Sequence, residues 1–327
     1  MAKSTNAAKL KKTEDDSKRA EDEKKRKWSE VDDAARRQIA HTKQSLSFVL
    51  EWSAAGHPSV DVVESLAGVK EYIDKAGSDG PFNKLFLVKN IDIPMEKVVE
   101  NMVSFKSEAT KHCTAENKEL TVCTLGATHG VHELKSFFET ILPPSLQVAS
   151  VLPSTKAILN RVQGFACMEN HTSCDWEHGF LGSVRYHYEG HCAYLLFKMA
   201  DLLVGVQKIK ESKEPPKMEG MRTWADDLDK AKLEREELEK FKEAGIFVHH
   251  IKVEANQALV IPPGWLCACT VLKQKPLFGM KKLLLPTGKQ SLDAFTLSHK
   301  LNPDNKAVKS TLDCLTIAEH TGGAQTT

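Results

Sequence analysis

The stretch Gln257-Ala-Leu-Val-Ile-Pro-Pro-Gly-Trp-Leu-Cys267 restricts the fold of this chain more than any other. Ala258 and Val260 on one side and Leu259 and Ile261 on the other fill both faces of a strand, which predicts burial between two layers. Pro262 and Pro263 cannot donate a ladder hydrogen bond, and Gly264 reaches backbone angles closed to other residues, so the strand must end in a fixed turn. Trp265 then opens a second strand.

The rest of the chain has to supply the two layers. With 327 residues and 41% hydrophobic content there is material for one sizeable core or two modest ones, at about 100–200 residues per domain. A net charge of +1 gives no overall attraction to nucleic acid or membrane, so nucleic-acid contact is expected only through the basic N-terminal segment. No apolar run reaches the ~18 residues that span a bilayer, and the charged N-terminus has no signal-peptide core, so an intracellular protein is expected. The 8 cysteines are scattered through apolar and mixed segments and are read as reduced core residues.

Residues 1–43 alternate Lys/Arg with Asp/Glu and carry few large apolar groups, so they read as a disordered or solvated helical tail. Lys11-Lys12 and Lys24-Lys-Arg-Lys27 have the spacing of a bipartite nuclear-import signal, which leaves a cytoplasmic or a nuclear address. Residues 44–147 read as a helix-rich mixed domain. Helices are expected around Leu46 to Ser53, from Val62 to Ile73 with Ser59 as cap, after Pro94, and from Val131 to Leu142, where Pro143-Pro144 ends the last one. Strands are expected at Lys84 to Lys89 and Leu120 to Leu125. Gly126-Ala-Thr-His-Gly130 reads as an ordinary strand-to-helix turn, with phosphate binding as the lesser alternative.

Beyond residue 148 strands dominate. Leu181 to Phe197 reads as a strand, a tight turn at Glu189-Gly190 and a returning strand, with Val184, Tyr186 and Tyr188 on one face and Arg185, His187 and Glu189 on the other. One of the two faces is either wet or lines a pocket. Residues 199–245 read as an insertion whose charged helix, 226–242, carries a narrow apolar stripe suited to a protein partner or to the host domain. Pro276 to Gly279 reads as a turn, Lys281 to Leu285 as a last strand, and 291–327 as a C-terminal tail.

The Gln257 to Trp265 run resembles the late-barrel motif of the JmjC and related cupin-type oxygenases. The resemblance implies an α+β chain: a cupin-like (JmjC-like) β-barrel at 148–290, preceded by the helix-rich domain and the charged tail. In that family the strand after the turn delivers a metal-binding histidine, and the matching residue is Cys267. The family's His-x-Asp/Glu precedes a glycine and a lysine that holds 2-oxoglutarate; aligning that glycine with Gly190 puts Cys192 at the lysine and Glu177 and Gly179 at the His-x-Asp positions. A shifted register would instead pair His171 or His178 with Asp175 or Glu177, or use His187-Tyr-Glu189, a literal His-x-Glu that stands close to the turn.

Three functions follow. With ligand positions changed, the resemblance implies a non-catalytic barrel that binds or scaffolds protein partners at its mouth or through the 226–242 helix, with no cofactor. The alternative is an Fe(II)/2-oxoglutarate dioxygenase or hydroxylase, since two histidines and a carboxylate suit non-haem iron. A third reading uses softer ligands: His171, Cys174 and His178, with Cys267 and Cys269 on one strand face, offer the N and S donors that zinc takes.

Overall fold

The computed structural model describes residues 60–76, 82–93, 107, 120–124, 132–148, 151–167, 172–175, 181–201, 243, 248–271, 277–301 and 303–322. The expected N-terminal tail, the Leu46 and Pro94 helices, the Gly126 turn and the 226–242 helix lie outside them.

The chain is α+β. In order its elements are β1 (Asp61–Val63), α1 (Gly68–Lys75), β2 (Phe86–Val88), β3 (Leu120–Thr124), α2 (His132–Ile141), α3 (Pro153–Leu159), β4 (Val162–Cys167) and β5 (Thr172–Asp175). There follow β6 (Gly182–Glu189), β7 (Cys192–Lys198), β8 (Val248–Val253), β9 (Gln257–Ile261), β10 (Trp265–Val271), β11 (Leu277–Leu284), α4 (Lys289–Leu301) and α5 (Lys306–Gly322).

The strands form two sheets. The larger runs β1-β2-β9-β6-β11-β4-β3 and the smaller β5-β10-β7-β8. Pairing is antiparallel except between β1 and β2, which makes the larger sheet mixed. Among the described residues no strand pairs into both sheets, so they stack as two layers and form no closed barrel. From β4 onward the chain changes sheet at most connections: β4, β6, β9 and β11 are in the larger sheet and β5, β7, β8 and β10 in the smaller.

Among the described residues, apolar clusters follow from strand alternation and helix packing. Val184, Tyr186, Ala258 and Val260 face outward from the larger sheet and bury against Val69 of α1 and Phe137, Phe138 and Ile141 of α2. Phe165, Leu259 and Ile261 face the other way and meet Cys192, Tyr194, Leu196, Ile251, Trp265 and Cys267 of the smaller sheet. Leu283, Leu285, Phe295, Val308 and Leu315 join α4 and α5 to the end of the larger sheet. Burying a large apolar side chain contributes roughly 1.5–3 kcal/mol, so these three contacts set the layer order.

Several expectations change. Asp61–Val63 is a strand, and the helix begins only at Gly68. Two β-branched valines suit an edge strand, and parallel pairing with Phe86–Val88 outweighs the helical spacing. The region ahead of residue 148 therefore contributes three strands to the larger sheet as well as helices. Beyond 291 the described residues are mostly helical: Leu292 and Phe295, then Val308, Leu312 and Leu315, recur at helix spacing and pack on the third cluster.

Leu277 to Gly279 is strand, not turn. The ladder with β6 shifts register between Phe278 and Gly279, and a Cβ on Gly279 would run into the Tyr186 carbonyl oxygen and the Phe165 ring. Glycine here marks close approach inside a bulged strand, which composition alone cannot tell from a turn. Likewise β6 and β7 are not a hairpin. Gly190, at φ +90°, passes the chain from one sheet to the other, so the two strands face each other across the core.

Candidate functional site

The Pro262–Gly264 turn also passes the chain between sheets, from β9 to β10. It is held on several sides. Gly264 has φ +80°, and a Cβ there would lie 3.1 Å from the Cβ of Ala294 on α4. Gln290 Nε2 donates to the Pro263 carbonyl at 2.8 Å, and the Met199 amide donates to the Gly264 carbonyl at 3.0 Å. On the remaining side Gly182 lies so close that a Cβ would meet the Ile261 carbonyl oxygen at 2.7 Å. Helix α4, expected as tail, thus seats the motif that carries the family resemblance.

β10 leaves this turn with Trp265 and Cys267 facing the core, and Cys267 is 2% exposed. Its ladder partners are Leu196 on β7 and Asp175 on β5. Cys174 is level with Ala268, so Asp175 and not Cys174 shares the ladder position of Cys267; Cys269 is level with Ser173. His171, Glu177 and His178 lie outside the described residues. Among the described residues no three His, Cys, Asp or Glu side chains gather as metal ligands. Of the six residues singled out from the sequence, the fold therefore brings Asp175 and Cys267 to neighbouring backbone positions.

The face of β6 that alternation assigned to Arg185 and His187 is buried against the smaller sheet. Ser183, Arg185 and His187 are all buried on it, and Lys281 of β11 is the ladder partner of Arg185. Arg185 Nε lies 3.5 Å from Ser183 Oγ, and its guanidinium carbon is 5.7 Å from the centre of the Tyr194 ring. His187 Nε2 and Tyr194 OH are hydrogen-bonded across the two sheets at 2.9 Å. Cys192 Sγ approaches the same imidazole at 3.7 Å from Nδ1. Burial, then the charge of Arg185, then His191 push the His187 pKa down from 6.5 to about 3, so the ring is neutral.

Cys192, His187 and Tyr194 have the connectivity of a nucleophile, a base and the group that orients it. Their setting gives them a different role. All three are completely buried, and an imidazole that protonates near pH 3 is a poor proton acceptor at neutral pH. The trio is a polar tie between the sheets: the imidazole pairs with the Tyr194 hydroxyl and is approached by the Cys192 thiol.

Sequence reading placed Arg185 and His187 on one face but did not connect them to Tyr194, Cys192 or Lys281. A cue for the first two exists: in Arg185-x-His187 and Cys192-x-Tyr194 polar groups alternate on both arms of a chain reversal. No cue exists for Lys281, whose neighbour Lys282 is also a strand lysine. Compared with known proteins, the sequence matches no protein-family model and no curated relative. No helix among the described residues is long and apolar enough to cross a membrane.

Proposed function

We propose that the two-sheet unit is a cupin-like jelly roll that serves as a non-catalytic binding or scaffold module. Strands that alternate between two stacked antiparallel layers are the usual course of such folds, and β4 to β11 follow it. The observation that carries the non-catalytic reading is the packing at Cys267. The position at which the resemblance expects a metal histidine holds a buried thiol, packed in one cluster with Leu196, Trp265, Tyr194 and Phe165. A fold alone assigns no chemistry. Protein partners at the mouth of the sandwich, and a nuclear address through Lys11 to Lys27, belong to the same proposal.

One observation favours a second reading. The Cys267–Asp175 ladder pair brings a cysteine and an aspartate to one register position, a start for a zinc or iron site that His171 or His178 would complete. The two readings separate in one experiment: elemental analysis of the purified chain, then oxygen uptake with Fe(II) and 2-oxoglutarate. The binding module predicts no stoichiometric metal and no uptake. Stoichiometric iron with 2-oxoglutarate-dependent uptake refutes it, and zinc lost on Cys267→Ala replaces it with a structural metal site.

A further inference from the structure

We propose that Lys282 is a modification site: its amine accepts an acyl group from a small thioester. This goes beyond the binding-module reading and does not depend on it.

Strand alternation and the ladders set the position. Lys282 lies on β11 between Met280 and Leu284, which belong to the apolar cluster packed beneath α2. Its ladder partners are Val162 on β4 and Val184 on β6, so apolar side chains flank its stem on both neighbouring strands. Its Nζ stands 5.6 Å from the centre of the Phe138 ring of α2. The residue is half-buried: its stem is covered, yet it is not sealed from solvent.

The charges around this amine do not compensate its burial. Lys135 and Glu139, one turn apart on α2, pair with each other at 3.7 Å. Lys282 itself has no ion pair among the described residues. Burial pushes its pKa down; Glu139 opposes that shift and Lys135 adds to it. The Phe138 ring attracts the cation only weakly, because the separation is close to the limit of about 6 Å for such contacts. More of this amine is therefore neutral than of an exposed lysine, and the neutral amine is the nucleophile.

The acyl transfer needs no cofactor. The nitrogen lone pair attacks the thioester carbonyl carbon, the C–S bond breaks, and the departing thiolate takes up the proton released from nitrogen. The products are an amide and a free thiol. The uncharged amide ends the repulsion from Lys135 and the cost of holding an ammonium against the cluster, and a short acyl chain finds apolar contact on Phe138.

The test incubates the full chain with acetyl-coenzyme A at about pH 8, below the ordinary lysine range. Acetylation of each lysine is then followed over time by peptide mass spectrometry. Lys282 should acetylate several-fold faster than Lys75, whose ammonium is held by Glu71 at 2.6 Å, and the lead should vanish in guanidinium chloride. Glu139→Gln removes the charge that favours the ammonium and should raise the Lys282 rate roughly two- to fivefold, whereas Lys135→Met should lower it by a similar factor. Acetylation of Lys282 no faster than that of Lys75 overturns the proposal and leaves a lysine that only extends its stem past Phe138 to water. A lead that persists in denaturant overturns it as well, and so does an equal Lys282 rate in the wild type and both variants.

Discussion

Replacing His187 by glutamine should remove a defined part of the acid sensitivity of this protein. His187 is completely buried, and its pKa is pushed down from 6.5 to about 3, first by burial, then by Arg185, then by His191. The unfolded chain therefore takes up a proton between these two values that the folded chain refuses. Stability from this group is complete above pH 6.5 and is lost as pH falls towards 3, at up to about 1.4 kcal/mol per pH unit. Between pH 7 and pH 5 the loss comes to about 2 kcal/mol. Glutamine keeps a donor and an acceptor for Tyr194 OH but does not titrate, so the variant should be weaker at pH 7 and flatter with pH. Urea unfolding at pH 7 and pH 5, with equal m-values, measures the difference directly. Other histidines cancel when the two proteins are compared. If wild type and His187→Gln lose the same stability between the two pH values, His187 is not a neutral buried group and the polar tie has been misread.

Three further outcomes follow from the packing. Gly279→Ala should cost roughly 3 kcal/mol or more and lower Tm sharply, because its Cβ meets the Tyr186 backbone and the Phe165 ring inside a bulge; an unchanged Tm would contradict the close approach. Gln290→Ala removes the bond to the Pro263 carbonyl and should cost about 1 kcal/mol in denaturant unfolding, while Gln290→Glu, which lacks the donor, should behave likewise. The Cys267 thiol, 2% exposed, should react with a thiol reagent far more slowly in the native protein than in urea, and fast native labelling lost on Cys267→Ala would show an open site.

The readable parts of the sequence were those governed by a single segment. The apolar run at Ala258 to Ile261 announced a strand covered on both sides, and all four residues are buried. Leu120 to Thr124 and His132 to Ile141 lie where periodicity put them, and Pro143 follows the end of the helix. Val62 and Val63 misled because they satisfy helix spacing and strand propensity alike, and only the partner Phe86–Val88 decides between them. Pro276 to Gly279 misled because a glycine after a proline reads as a turn whether or not a ring packs on it. For the candidate site, the position of Cys267 after the turn was legible, whereas its level with Asp175 was not.

The sequence by itself determined that the strand ending at Ile261 is covered on both sides, which residues share a face of β6, and that a rigid turn precedes Trp265, since backbone restriction and side-chain alternation are properties of a few consecutive residues. The tertiary structure alone decided that the chain reversals at Gly190 and Gly264 cross between sheets, that His187 meets Tyr194, and that Lys281 stands beside Arg185. Those pairings join residues far apart in the chain or in separate layers. Their register is fixed by how the two sheets bury their apolar faces together, which no local pattern encodes.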